Sequence, residues 1–217
     1  MLFEFNKYKA VLFDLDGVIA DSEPIRYLSY QQLFKLLFNV ELPLVMPKEL
    51  IGNCERDNIQ YFLDIFQLSA SIKDFQNRRQ TILINDLKKY LRPAIGLYEL
   101  LDQLYKNEIL ISLTTNSSKS YAKCFLEILN IESYFSVIIT KEDVRHSKPF
   151  SDIYLKAVRE LNLESFQCIA VEDSPKGILA AKRAGITCIA ITTSFLDSEL
   201  TNANFVINNL SQLTNLL

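Results

Sequence analysis

The stretch VLFDLDGVIADSEP, Val11–Pro24, begins as a buried strand and then abruptly changes character. Residues Val11–Phe13 are apolar and suit a sheet interior, whereas Asp14 and Asp16 are acidic and Gly17 follows at once. Side chains alternate along a strand, so the two aspartates should point the same way, roughly 7 Å apart. Because two carboxylates at a sheet end repel each other, a cation or a shared proton would relieve them. A turn in which both aspartates cap backbone amides is the alternative.

Five short apolar runs predict the strands of one sheet. They are Ala10–Phe13, Ile109–Thr114, Ser136–Thr140, Cys168–Val171 and Thr187–Ile191. Most are rich in Val and Ile and none alternates cleanly with polar residues, which is typical of parallel strands covered on both faces. Segments with helical spacing separate them from about Arg92 onward. The pattern predicts an α/β fold with a Rossmann-like parallel sheet, whose ligands bind at the carboxyl ends of the strands.

The segment between the first strand and Arg92 follows a different pattern. From about Pro24 to Tyr90 it shows helical periodicity and no convincing strand. Its three apolar stripes are Tyr27, Tyr30, Leu33, Phe34 and Leu37, then Ile59, Phe62, Leu63 and Phe66, then Ile82, Leu83 and Leu87. We therefore expect a catalytic core of residues 1–18 and 91–217 and an inserted α-helical domain of residues 19–90. An insertion leaving the carboxyl end of a strand would overhang the ligand-binding edge.

A second acidic pair follows another predicted strand, in VEDSPKG, Val171–Gly177. Glu172 and Asp173 precede a helix start, where Asp173 or Ser174 could serve as the N-cap. Capping explains one acid but not two. Two strand ends with paired acids indicate an oxygen-ligand Mg²⁺ site, since Mg²⁺ takes carboxylates, water and phosphate.

Two further signals lie at or just beyond strand ends. LTTNSS, Leu113–Ser118, offers hydroxyls, an amide and free backbone N–H groups, which suit a phosphate, although an ordinary helix N-cap would look the same. Lys148, in RHSKPFSD, precedes Pro149 and is therefore expected in an extended conformation. Its ammonium could neutralise a phosphate and an aspartate together, or simply reach to water. Together with the acidic pairs, these groups would supply a nucleophile, a phosphate cradle and a metal site.

Composition narrows the function further. The 217 residues include 26 acidic and 23 basic ones, a net charge of -3, which argues against nucleic acid as a partner. Four scattered cysteines without a CxxC pair favour buried thiols in a reducing compartment over a zinc site. A single histidine excludes a His-rich metal site. Neither an apolar signal peptide nor a membrane-spanning stretch is visible, so we expect a cytoplasmic protein without a membrane partner.

The ordered motifs resemble those of the haloacid dehalogenase superfamily, in its phosphatase and β-phosphoglucomutase-like branch. FDLDGVIADSEP is similar to that family's first motif, TTNSS to its second, SKPFSD to its third and VEDSPKG to its fourth. The helical insertion resembles the family's type 1 cap domain. This resemblance implies a Mg²⁺-dependent phosphatase that works through an aspartyl phosphate, with a small phosphorylated metabolite, of the sugar phosphate or phosphoglycolate type, as its partner.

The resemblance also assigns roles to individual residues. Asp14 would be the nucleophile and Asp16 the general acid and then the general base. Thr115, Asn116 and Lys148 would hold the phosphate. The Mg²⁺ ligands would be Asp14, the carbonyl of Asp16, and Asp173, with Glu172 in that shell or next to it. The second aspartate and the Glu-Asp pair favour chemistry at phosphorus over the dehalogenase reaction at carbon.

Substrate choice is expected to depend on the helical insertion. IGNCERD, Ile51–Asp57, resembles the cap segment that faces the active site in the family, and Arg26, Gly52, Asn53 and Arg56 are the candidate specificity residues. β-Phosphoglucomutases carry a lysine and an arginine where this chain has Ile51 and Glu55, and a histidine where it has Arg26. The mutase is therefore the second hypothesis. A non-enzymatic phospho-receiver is the third, although receivers lack a helical cap. We expect a monomer or weak dimer.

Overall fold

A computed structural model describes residues 7–215. These residues divide into two compact units: one holds the described residues up to Asp21 and from Arg92 onward, and the other is Ser22–Leu91. The first division comes after residue 21 rather than after the predicted residue 18, and the second after residue 91 rather than after residue 90. Residues 18–20 stay in the first unit because they are fully buried and because the carbonyl of Ile19 accepts a hydrogen bond from the Ala94 amide, at 2.9 Å.

The first unit, which we call the core unit, is built on a six-stranded parallel sheet. Its strands are β1 (Ala10–Phe13), β2 (Leu110–Thr114), β3 (Val137–Ile139), β4 (Cys168–Glu172), β5 (Thr187–Ile191) and β6 (Phe205–Ile207), in the spatial order β3-β2-β1-β4-β5-β6. In β1 every residue is buried, since the strand has a parallel neighbour on each side. The predicted fold class is confirmed.

The sequence analysis does not predict the strand β6. It has only three residues, and Phe205 and Val206 are more than one-third exposed, at 38% and 36%. A short edge strand that is half-exposed lacks the apolar run that marks the interior strands.

Five helices of the core unit complete the α/β pattern. They are α4 (Leu97–Lys106), α5 (Lys119–Leu129), α6 (Asp152–Glu160), α7 (Pro175–Arg183) and α8 (Ser211–Thr214). The apolar residues of α6 and α7 pack against β1, β4 and β5 in one buried cluster. Ser118 caps α5 by accepting a hydrogen bond from the Tyr121 amide (3.3 Å), and Ser174 caps α7 through the Gly177 amide (3.1 Å).

The second unit, which we call the helical unit, contains α1 (Glu23–Phe38), α2 (Glu55–Ile65) and α3 (Ile72–Tyr90). Their apolar stripes meet in an aromatic cluster around Phe34, Phe62 and Phe75. The ring centroids of Phe34 and Phe75 lie 4.9 Å apart, and those of Phe34 and Phe62 lie 5.6 Å apart. Among the described residues no helix combines the length and the apolar character that crossing a membrane requires.

Candidate active site

The site lies at the carboxyl ends of three adjacent strands. Asp14 follows β1 directly, Thr114 ends β2 and Glu172 ends β4. The backbone amide of Asp14 donates to the carbonyl of Val171 at 3.0 Å, so the parallel ladder continues into the acidic turn. Strand register therefore brings side chains from distant parts of the sequence to one edge of the sheet.

Lys148 joins the ends of these three strands. Its Nζ lies 2.6 Å from Asp14 Oδ1 and 2.7 Å from Glu172 Oε1, and it donates to the carbonyl of Thr114 at 2.7 Å. Burial alone would lower the pKa of this ammonium, but Asp14 and Glu172 outweigh it and raise the pKa above its usual value. The lysine is therefore a fixed positive charge with all three of its donors used.

Asn116 holds the backbone of Lys148 on both sides. Its Oδ1 accepts from the Lys148 amide at 2.9 Å, and its Nδ2 donates to the Lys148 carbonyl at 3.2 Å. The peptide bond between Lys148 and Pro149 is cis. The neighbouring Thr115 is buried, and its Oγ1 accepts from the Ser117 amide at 3.0 Å. Asn116 of the TTNSS segment thus fixes the backbone of Lys148, and Thr115 beside it accepts from the Ser117 amide.

Asp14 is in an unusual electrostatic position for a carboxyl group. Burial raises its pKa to about 7; Lys148 opposes that rise, while Glu172 and Asp16 add to it. Near neutral pH its ionised form therefore depends on positive charge in the site. Lys148 supplies part of that charge.

The predicted ligands Asp14, Glu172 and Asp173 form one cluster suited to a divalent cation. Each offers an oxygen, and the three atoms lie within 4.8 Å of one another. Glu172 Oε2 is buried without a hydrogen-bond partner. Asp14 and Glu172 both contact the Lys148 ammonium, and Asp173 adds a third buried carboxyl group, so the donors fit a hard cation such as Mg²⁺. The Asp16 side chain lies outside the cluster; its predicted contribution was its carbonyl.

The second aspartate, Asp16, has different partners from the first. Its Oδ2 accepts from Ser117 Oγ at 2.7 Å, and its Oδ1 accepts from Tyr121 OH at 2.8 Å. Two neutral hydroxyls thus hold Asp16, whereas an ammonium holds Asp14. This difference in partners makes two neighbouring carboxyl groups chemically unequal.

Two glycines leave room for the carboxylates. Gly17 has a φ of 80°, and a Cβ there would lie 1.9 Å from Asp173 Oδ2. A Cβ on Gly177 would lie 1.9 Å from Glu172 Oε2. Both distances are far shorter than any real contact, so a larger residue at either position would displace a carboxylate.

Sequence reasoning missed four hydroxyl groups that orient the acids. Besides Ser117 and Tyr121, Tyr154 OH donates to Glu172 Oε1 at 2.6 Å, and Ser194 Oγ donates to Asp173 Oδ2. Ser117 was visible within TTNSS, and Ser194 follows the end of β5. The two tyrosines gave no signal, because a tyrosine within an apolar stripe is indistinguishable from a core residue.

The candidate specificity residues all belong to the helical unit. Arg26 lies in α1 and pairs with Glu23 at 3.4 Å, while Gly52 and Asn53 form the turn before α2 and exposed Arg56 lies in its first turn. Gly52 has a φ of 74°, and Asn53 Nδ2 donates to the Glu49 carbonyl at 2.8 Å. Buried Arg79 joins the two regions, since it donates to both the Arg26 carbonyl and the Glu55 carboxylate.

Comparisons with known proteins agree with this geometry. The family model described as haloacid dehalogenase-like hydrolase matches residues 11–191. This chain belongs to that family. The phosphorylated carbohydrates phosphatase of Thermotoga maritima is 28% identical to it over 178 residues, 82% of either chain. The beta-phosphoglucomutase of Bacillus subtilis is 29% identical over 215 residues, 95% of this chain and 92% of the relative.

A solved structure shows the same fold. CbbY from Rhodobacter sphaeroides, in complex with phosphate, matches with a TM-score of 0.84 at 23% identity, over 95% of this chain and 96% of that one. The predicted superfamily is therefore confirmed, and so is the predicted enzyme class, a phosphoric monoester hydrolase of that superfamily.

Proposed function

We propose that this chain is a Mg²⁺-dependent phosphatase that hydrolyses a small phosphorylated metabolite, of the sugar phosphate or phosphoglycolate type, through an aspartyl phosphate. One observation carries the proposal: the buried ion pair of Lys148 and Asp14, at 2.6 Å, adjoins the carboxylate cluster completed by Glu172 and Asp173. The Lys148 ammonium contacts two carboxylates, those of Asp14 and Glu172, whereas a simple structural ion pair needs only one.

In the first step a carboxylate oxygen of Asp14 attacks phosphorus. A bond forms between that oxygen and phosphorus, and the ester bond between phosphorus and the leaving oxygen breaks. Covalent catalysis of this kind divides one difficult displacement into two easier ones. The charge of Lys148 would neutralise the phosphoryl oxygens, and Thr115 and the backbone of Asn116 would hold them in place, because phosphoryl transfer depends mainly on positioning and charge neutralisation.

Asp16 would transfer the protons of both steps. As a general acid it gives its proton to the leaving oxygen, and as a general base it takes one from the attacking water. Water then attacks phosphorus, the bond to Asp14 breaks, and inorganic phosphate leaves. The hydroxyls of Ser117 and Tyr121 can donate to the ionised carboxylate and accept from its protonated form.

Mg²⁺ would be held by Asp14, Asp173 and the Asp16 carbonyl, with Glu172 in its shell or beside it. When bound, Mg²⁺ supplies positive charge against the phosphoryl oxygens. The protein's own contribution is to hold these oxygens close together and to fix Asp173 through Ser194.

The decisive test is Asp14→Asn, assayed by Mg²⁺-dependent phosphate release from an aryl phosphate. We expect kcat/KM to fall at least about a thousand-fold, because amide oxygen does not replace the carboxylate as a nucleophile. Asp102→Asn, on the exposed face of α4, is the matched control and should retain activity. Wild-type activity in a folded Asp14→Asn protein would refute the mechanism.

A phosphomutase is the second candidate function, and the likeness to the beta-phosphoglucomutase of Bacillus subtilis favours it. Against it, Ile51 and Glu55 replace the lysine and arginine expected of a mutase, and a mutase must retain a bisphosphate. Phosphorus NMR of β-glucose 1-phosphate with a bisphosphate primer separates the two. Glucose 6-phosphate formed without free phosphate would identify a mutase.

The proposal extends to substrate choice and setting. Arg26, Gly52, Asn53 and Arg56 would contact the part of the substrate beyond its phosphate. We propose a cytoplasmic enzyme, monomeric or weakly dimeric, that needs neither nucleic acid nor membrane. Screening about a hundred phosphorylated metabolites, with Asp14→Asn as the blank, would identify the substrate.

A further inference from the structure

The carboxyl group of Asp16 is held from two separate segments. Ser117 Oγ, in the loop after β2, donates to Oδ2 at 2.7 Å, and Tyr121 OH, in the first turn of α5, donates to Oδ1 at 2.8 Å. Each carboxyl oxygen therefore has a hydroxyl partner. Asp16 as a whole is 8% exposed, so these contacts are shielded from most of the solvent.

Both hydroxyls are themselves fixed in place. The Ser117 amide donates to Thr115 Oγ1 at 3.0 Å, and the Tyr121 amide donates to Ser118 Oγ, the cap of α5, at 3.3 Å. The ring centroids of Tyr121 and Phe125, on the same helix, lie 5.9 Å apart. A tyrosine anchored by its backbone and its ring has little freedom, so its hydroxyl restricts where the Asp16 carboxyl can point.

We propose that Tyr121, assisted by Ser117, is a positioning residue that aims Asp16 at the leaving oxygen during phosphoryl transfer. The inference rests on the proposed role of Asp16 as general acid. A hydroxyl suits the task better than an ammonium, because it can remain hydrogen-bonded to the carboxyl before and after the proton has left. The acid gives its proton to the leaving oxygen and keeps both of its anchors.

The inference predicts a dependence on the leaving group that a merely structural role would not produce. A basic leaving group needs the proton of Asp16, whereas a strongly acidic one departs without it. We would measure kcat/KM with phenyl phosphate and with 2,4-dinitrophenyl phosphate, which share the aryl phosphate ester but have leaving groups of very different acidity. This constant reports steps up to the first irreversible one, here the transfer to Asp14.

Four variants complete the experiment: Asp16→Asn, Tyr121→Phe, Ser117→Ala and the control Tyr105→Phe. Tyr121→Phe removes one hydrogen bond, so we expect kcat/KM for phenyl phosphate to fall roughly three- to ten-fold. The value for 2,4-dinitrophenyl phosphate should stay within a factor of about two. Ser117→Ala gives a second, independent reading if Tyr121→Phe folds poorly. Tyr105 is 69% exposed on α4, and its variant should match the wild type on both substrates.

The outcomes separate the inference from the function on which it rests. The inference stands if Asp16→Asn lowers kcat/KM for phenyl phosphate much more than for 2,4-dinitrophenyl phosphate, and if Tyr121→Phe and Ser117→Ala show the same preference to a smaller degree. If only Asp16→Asn is selective, Asp16 is the acid and the hydroxyls do not aim it, so the inference fails alone. If Asp16→Asn is itself unselective, its role as general acid fails and the inference falls with it.

Discussion

Each unit buries one basic side chain among acids and aromatic rings, and the two differ in charge balance. In the core unit Lys148 faces Asp14 and Glu172, with Tyr154 beside it. In the helical unit Arg79, 2% exposed, pairs with Glu55, and its guanidinium lies 3.7 Å from the centre of the Tyr30 ring. The helical pair joins one cation to one anion, whereas in the core unit Lys148 contacts two carboxylates and a third, that of Asp173, lies within 4.8 Å of both.

That difference distinguishes a structural ion pair from a site that expects a ligand. In the helical unit one carboxylate matches the one guanidinium, although Arg79 Nε is buried there without a hydrogen-bond partner. In the core unit the pKa of Asp14 is raised to about 7, mainly by burial. Burying a carboxyl group in this way is unfavourable for folding, and such perturbed pKa values are typical of functional sites. A divalent cation between Asp14 and Asp173 would remove that cost.

The largest effect, on the free energy of unfolding, should come from breaking the Arg79–Glu55 pair of the helical unit. Arg79→Met leaves Glu55 uncompensated, so we expect the free energy of unfolding to fall by about 3–5 kcal/mol. Chemical denaturation measures it. Arg78→Met, an exposed neighbour on α3, is the control. Adding Glu55→Gln to Arg79→Met should recover part of the loss, and an Arg79→Met protein as stable as the control would contradict the structural role.

Breaking the core pair should instead cost catalysis. Lys148→Met removes the ammonium from Asp14, so we expect kcat/KM for an aryl phosphate to fall about a hundred- to a thousand-fold. Lys156→Met, in a surface pair with Glu160 at 3.3 Å, is the matched control and should retain activity. Full activity of Lys148→Met would show that the phosphate is neutralised elsewhere.

A smaller effect should appear in the response to metal. Because the carboxylates are crowded, Mg²⁺ at a hundred times its dissociation constant should stabilise the wild type by about 2.7 kcal/mol relative to chelator. Asp173→Asn should lose most of this stabilisation, measured by thermal unfolding with Mg²⁺ and with chelator. Equal responses of the two proteins would remove Asp173 from the metal site.

The sequence predicted the strand ends well because their chemistry is local. An apolar strand that ends in acids or hydroxyls carries its signal within a few residues, so Asp14 and Glu172 could be found together, whereas Lys148 lies nine residues beyond the end of β3 and came from a separate motif. Parallel pairing then determines which ends are neighbours. The helical insertion could be predicted equally well, because its apolar residues recur at helical spacing along each helix.

The roles of the residues that orient the acids could not be predicted from the sequence, because they depend on tertiary contacts. Tyr154 follows the helical spacing of a core residue, and only its hydroxyl reaches Glu172, at 2.6 Å. Tyr121 reaches Asp16 from a helix that begins after a different strand. Likewise, the contact of Lys148 with both Asp14 and Glu172 joins three separate segments, so no single motif discloses it.

The position of β1 in the sheet has a consequence for biosynthesis. It is the earliest strand among residues 7–215, yet its neighbours come much later, with Ala10 opposite Leu110 on one side and Cys168 on the other. Until β4 leaves the ribosome, the strand that precedes Asp14 has one unpaired edge, and Glu172 and Asp173 have not yet joined the aspartates. Such long-range pairing is slow and leaves an apolar edge exposed during synthesis. A nascent chain halted before β4 would therefore be a natural client for chaperones that bind short apolar segments.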